Sequence, residues 1–136
     1  MKLKLLLLFI PVLTYSCKNK ETFKQTKDGL EYRFIKKNDK NAKPEVGYAL
    51  VLNMKIFHND SIIFDSREVS TSYRIMLEAP KVDGSIYEGF AMLHKGDSAI
   101  FRIDAINFYK YTATTQAPDV IKKGDKLTFY VKLIDF

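Results

Sequence analysis

The sequence predicts an α+β domain in which a curved, mostly antiparallel sheet wraps over one short helix. Four separate runs alternate apolar and polar side chains: Leu30, Tyr32 and Phe34; Tyr73, Ile75 and Leu77; Ala99, Phe101 and Ile103; and Leu127, Phe129, Val131 and Leu133. A period of two is that of half-buried strands. Only one stretch has helical spacing, with Ile86, Phe90 and Leu93 at i, i+4 and i+7. Several alternating strands imply an antiparallel sheet with one buried face, and a lone amphipathic helix is suited to cover it.

Residues 1–16 read as an export signal, with Met1-Lys2-Leu3-Lys4 as a basic start, an apolar run from Leu5 to Leu13, then Thr14-Tyr15-Ser16 before Cys17. The run is well short of the ~20 residues that a membrane-spanning helix needs. Cys17 is the only cysteine, so no intramolecular disulfide can form. A lipidation site and a free thiol closing a secretory signal are the two readings. Residues 17–27 are polar and charge-rich, as in a flexible tether. At ~3.5 Å per residue, its ten residues after the cysteine would reach ~35 Å.

The domain is expected over 28–136. Asp28-Gly29 signals a turn, the first strand follows over 30–34, and Lys36 to Gly47, with Pro44, is a polar link. Tyr48 to Phe57 reads as a long strand, His58-Asn59-Asp60 as a hairpin turn and Ser61 to Phe64 as the return. Along the long strand, Leu50, Leu52, Met54 and Ile56 form one apolar face, which turns Asn53 and Lys55 outward. At the helix, Ser85 with Glu88 three residues later makes a capping box, and Gly96 lies just beyond its end. Residues 105–124 show no clear period, and long ordered loops of this kind are often functional.

The chain has 136 residues, 46% of them apolar, and a net charge of +6. Without residues 1–16, which hold Lys2 and Lys4 and no acid, 20 basic side chains face 16 acidic ones, a balance of +4. That charge is dispersed, with no basic run interleaved with aromatics, so a nucleic-acid partner is not expected. About 110 residues suffice for one core. His58 and His94 sit in turn-like sequence without cysteines or clustered carboxylates at ligand spacing, so neither a metal nor another cofactor is expected.

The spaced set Phe64-Asp65-Ser66, Tyr73, Leu77, Glu88-Gly89, Gly96, Tyr109 and Phe129 resembles the FKBP-type peptidyl-prolyl isomerases. Tyr73 to Gly96 runs without insertion or deletion against the family pattern, and the resemblance covers roughly Asp28 to Phe136. It implies the FKBP fold, with an apolar cleft between the sheet's concave face and the helix that takes up a proline side chain. Asp65, Tyr109 and Phe129 are the implied catalytic positions. Phe64 and Phe129 would be aromatic walls, Asp65 an acid at the rim, and Tyr109 a hydroxyl for a substrate carbonyl. Asn53, Phe64, Tyr73, Val82, Asp83, Ile86 and Ile121 are the implied substrate-binding positions, with the backbone N–H of Asp83 meeting a second carbonyl. Three of these depart from the family pattern: Ile86 stands where tryptophan is common, Asn53 where a tyrosine is usual, and Asp83 where an aliphatic residue is usual. A smaller floor offers less stacking surface. Pattern alone gives blander roles: core for Phe64, Val82, Ile86 and Phe129, an Asx turn for Asp65, loop packing for Tyr109, and a helix N-cap for Asp83.

The resemblance implies a prolyl isomerase that assists folding of exported envelope proteins, its partners being proline-containing unfolded or partly folded chains. The alternative is a noncatalytic FKBP-like lipoprotein that binds an envelope partner or unfolded chains. The front of the chain resembles bacterial lipoprotein signals, which implies acylation of Cys17 and a place in the bacterial envelope. Lys18, with no aspartate after the cysteine, fits the outer membrane, facing the periplasm.

Overall fold

Strand β3, Ala49–His58, organises the fold by burying every second side chain: Leu50, Leu52, Met54, Ile56 and His58. The computed structural model describes residues 22–136. The expected signal and the first five residues of the expected tether, 17–21 with Cys17, lie outside the described residues. The other strands are β1 (Lys24–Gln25), β2 (Glu31–Lys36), β4 (Ser61–Asp65), β5 (Arg74–Met76), β6 (Ser98–Asp104) and β7 (Lys126–Asp135). The helices are α1 (Ser66–Val69), α2 (Ile86–Met92) and α3 (Ala105–Asn107), the last running into a π-helical segment, Phe108–Ala113.

Every pairing is antiparallel, in the order β1-β2-β6-β7-β3-β4, with β5 also on β3. β4 and β5 share the outer edge of β3. β4 takes its C-terminal half, with Lys55 opposite Asp65 and His58 opposite Ser61; β5 takes the start, with Ala49 opposite Met76 and Val51 opposite Arg74. Two hydrogen bonds bridge the interval: Leu52 N donates to the Tyr73 carbonyl at 3.0 Å, and Met54 N donates to Ser66 Oγ at 2.9 Å. Ser66 is 1% exposed, so its hydroxyl satisfies a donor that water does not reach.

Helix α2 lies against the concave face, its Ile86 and Phe90 joining Leu93, Phe101 and Phe129 in the core. Ser85 is the N-cap, its Oγ accepting from Tyr87 N at 3.3 Å; Asp83 is exposed and does not cap the helix. Gly89 permits the approach, since a Cβ there would stand 2.7 Å from Phe101 Cε1. Such a distance is closer than atoms can pack.

The sheet begins earlier than sequence composition suggests. Within the expected tether, Lys24 pairs with Tyr32 and Gln25 with Glu31, and the Arg102 guanidinium lies 3.8 Å from the centre of the Phe23 ring. The stretch after β6 is also not simply loop. Asp104 Oδ1 accepts from Asn107 N at 2.8 Å, capping α3, and the chain continues in π-helical winding to Thr114, which turns it out at φ +53°. His58 is a satisfied core residue, with Nε2 2.8 Å from Asp125 Oδ2.

Candidate functional site

An apolar cleft of about 340 Å³ opens between the concave face, α2 and the π-helical segment. That volume is within the ~300–1,000 Å³ range of small-ligand pockets. Each wall follows from a local feature. In β3 the buried phase brings Met54 and Ile56 to the cleft. The register pairs Ile56 with Phe64, so Phe64 shares that face. Tyr73 stands beside it, with ring centres 5.3 Å apart and planes at 59°. Opposite, Phe108 meets Phe129 edge-on at 5.3 Å and Tyr109 at 5.4 Å, spacings at which aromatic pairs attract. The π winding brings Phe108, Tyr109, Thr112 and Ala113 to one opening, a use to which such irregular helices are often put.

Ile86, 1% exposed, and Phe90 come from α2. Among the described residues none that lines the cleft is charged; its hydroxyls come from Tyr73, Tyr87, Tyr109 and Thr112. Burial pushes the Tyr73 hydroxyl up from its usual range. The same cause, aided by Glu78 and Tyr73, raises Tyr87. Both are therefore neutral donors across the physiological range.

Five of the residues singled out in the sequence meet here: Phe64, Tyr73, Ile86, Tyr109 and Phe129. Val82 and Asp83 line a smaller hollow next door, about 150 Å³, that shares Ile86, Phe108 and Thr112 with the cleft. Ile121 is buried in the core, away from the cleft lining.

Asn53 and Asp65 lie on the opposite face. Asn53 is exposed because it alternates with the buried Leu52 and Met54, so the expected interior place is corrected in favour of the strand period. Asp65 is opposite Lys55 in the register, and its side chain shares that outer face, with Lys55 Nζ 3.1 Å from Oδ2. It caps α1 by accepting from Arg67 N at 3.0 Å and from Arg67 Nε and Nη2 at 3.3 and 3.1 Å. These bonds from Arg67, with Lys55 adding to them, hold its carboxyl well below the usual carboxylate range. Asp65 thus occupies an Asx turn that secures α1, not the rim of the cleft.

Sequence reasoning missed Met54, Ile56, Ile63, Ile75, Tyr87, Phe90 and Phe108 as lining residues. The spacing of Phe90 marked it as helix core, which it also is. Phe108 directly precedes Tyr109, but nothing in the local pattern shows that a π turn presents both.

No protein-family model matches the chain, and no curated protein matches it. Among solved structures it is similar to the crystal structure of FkpA from Escherichia coli, with a TM-score of 0.65 over 87% of this chain at 22% sequence identity. The chain spans 52% of the length of that FkpA chain. At this identity the likeness concerns the fold. With α2 seated in the concave face of the antiparallel sheet, it shows that the chain has an FKBP-like fold.

Proposed function

We propose that the chain is a peptidyl-prolyl cis–trans isomerase that assists folding of exported envelope proteins, held to a bacterial membrane through an acylated Cys17. The observation that carries the reading is the convergence of Phe64, Tyr73, Ile86, Tyr109 and Phe129 on one uncharged cleft in an FKBP-like fold.

The chemistry suits such a site. Amide resonance imposes a barrier of ~18–20 kcal/mol, so X–Pro bonds exchange in tens to hundreds of seconds. The planar amide carries charge on its oxygen, which water stabilises, whereas the twisted transition state is less charge-separated. An apolar cleft that seats the proline ring against Phe129 and Phe64 removes that water and favours the twisted form. Tyrosine hydroxyls at the walls offer donors to the flanking carbonyls. Each ~1.4 kcal/mol by which the twisted form is bound better gives tenfold in rate. No nucleophile or general base is needed.

Folding of a protein limited by a prolyl bond tests the reading: the chain should speed that slow phase in catalytic amounts. Cys17→Ser should move the protein out of the membrane fraction after a high-salt wash, and unchanged retention through that wash would refute the acyl anchor.

A second reading, a noncatalytic module that binds an envelope partner or unfolded chains, is favoured by the small Ile86 floor and by Asn53 and Asp65 facing away from the cleft. Ile86→Trp separates the two. Raised turnover of a proline peptide supports a weakened isomerase; an inert cleft in a folded variant that still suppresses aggregation supports the binding module.

A further inference from the structure

A second hollow, about 460 Å³, lies at the other side of the domain, where β1 and β2 meet the end of α2. Lys24, Arg33, Lys37 and Lys43 line it, with Tyr32 and Phe34 between them, and among the described residues no carboxylate lines it. Lys37 is partly neutralised, its Nζ 3.1 Å from Asp39 and 5.4 Å from the Phe34 ring centre. Lys24 and Lys43 are exposed. His94 also lines the hollow, with Nδ1 3.5 Å from the buried Asp97 carboxylate and 3.9 Å from Asp39.

Thr22, the first described residue, lines this hollow too. It follows Cys17 by five positions, a link that spans at most ~18 Å when fully extended. An acylated Cys17 would therefore hold this face within reach of the lipid headgroups, and the link, with Lys18 and Lys20 against Glu21, adds a net charge of +1, of the same sign.

We infer that this basic hollow docks the domain onto anionic phospholipid headgroups, fixing its orientation on the membrane as a second contact beside the acyl anchor. The inference rests on the proposed acylation for proximity, but not for the binding chemistry. Juxtamembrane cations attract an anionic surface additively, and the attraction is screened within a Debye length. The sheet order places β2 and β4 four strands apart, ~19 Å at the usual strand spacing. Along α2, Ile86 at the cleft and Met92 at the hollow are ~9 Å apart. Docked through β1 and β2, the domain would present its cleft away from the lipid, where an unfolded chain can enter.

The test uses the mature chain from residue 17 with Cys17→Ser, so that no acyl group contributes. Co-sedimentation with vesicles of phosphatidylcholine alone and with one-third phosphatidylglycerol separates the electrostatic term. Binding to the anionic vesicles only, weakening with salt, is expected. Lys24→Gln with Lys43→Gln should weaken it about 25-fold, at about fivefold per cation, while the equal charge change Lys81→Gln with Lys123→Gln should leave it within about twofold. Equal binding to both vesicle types, an equal loss in both double variants, or displacement by inorganic phosphate at constant ionic strength would overturn the inference. So would tighter binding to an acidic peptide than to the anionic vesicles. Release of Cys17→Ser from membranes washed at high salt, which screens the contact of the hollow, reports on the acyl anchor independently, so failure of one leaves the other standing.

Discussion

Ser66→Ala removes a single oxygen from the seam between β4 and β5. The Met54 N–H that donates to Ser66 Oγ at 2.9 Å is then left in the interval of the β3 edge between β5 and β4, which no described strand covers. With Ser66 only 1% exposed and Met54 7%, water cannot readily replace the hydroxyl. The cost is that of an unsatisfied buried donor, ~1–3 kcal/mol. For a domain of this size that is a fall in Tm of roughly 4–12 °C. Urea titration followed by far-UV circular dichroism is the assay: the midpoint should drop with the slope unchanged. Ser70→Ala is the control, because its Oγ accepts from Ser72 N in an exposed turn, and it should stay within ~0.5 kcal/mol of the parent. The seam also carries Phe64 and the Tyr73 carbonyl, so the variant should exchange its Met54 amide faster. A Ser66→Ala protein as stable as the parent would refute the assigned role of this hydroxyl.

Gly89→Ala should destabilise by ~1–3 kcal/mol through overpacking against the Phe101 ring, and Phe101→Leu in the same chain should recover part of the loss, read by the same titration. Asp65 is held in its charged form by Arg67 and Lys55, so its contribution to stability is complete above the usual carboxylate pKa of ~4 and is lost as pH falls toward the lowered folded value. Asp125, lowered by the Lys122 N–H and by His58, and Asp135, lowered by Lys95, act with the same sign; Asp65→Asn should therefore flatten the acid decline without abolishing it, and an unchanged decline would refute the pairing. In isomerisation assays the same variant should keep its turnover, since the carboxylate is on the far face; a loss of about tenfold or more would put Asp65 back at the cleft. Tyr109→Phe should reduce turnover while leaving the melting midpoint in place, and equal turnover would remove its hydroxyl from the chemistry.

Strands β3, β6 and β7 and helix α2 were legible because each has one face in the core and one more open to water, so burial is written into the sequence as a period. Leu50 to Ile56 show this most clearly, and there the period overrode the family resemblance that placed Asn53 inside. The cap at Ser85 was likewise visible as a local signal, whereas the close approach at Gly89 was not, since nothing in the local pattern names Phe101 as its neighbour. The π-helical turn was not, because Phe108-Tyr109-Lys110-Tyr111 offers aromatics at consecutive positions and no helical period. Short β1 was hidden by its composition, since Lys24 and Gln25 remain exposed even when paired. At the site, residue identity carried the aromatic walls but not the direction of Asp65, which depends on a register set by the β4 bulge between Ile62 and Phe64. Side-chain phase, not motif, decides which members of the Phe64-Asp65-Ser66 run face the cleft.

The most direct test of the proposed activity is isomerisation of an X–Pro tetrapeptide by residues 17–136 with Cys17→Ser, with and without a macrolide ligand of the FKBP family. Acceleration over the uncatalysed rate that the macrolide abolishes is the expected result. A rate equal to the uncatalysed one, from a sample shown to be folded, would contradict it and leave the cleft as a binding site.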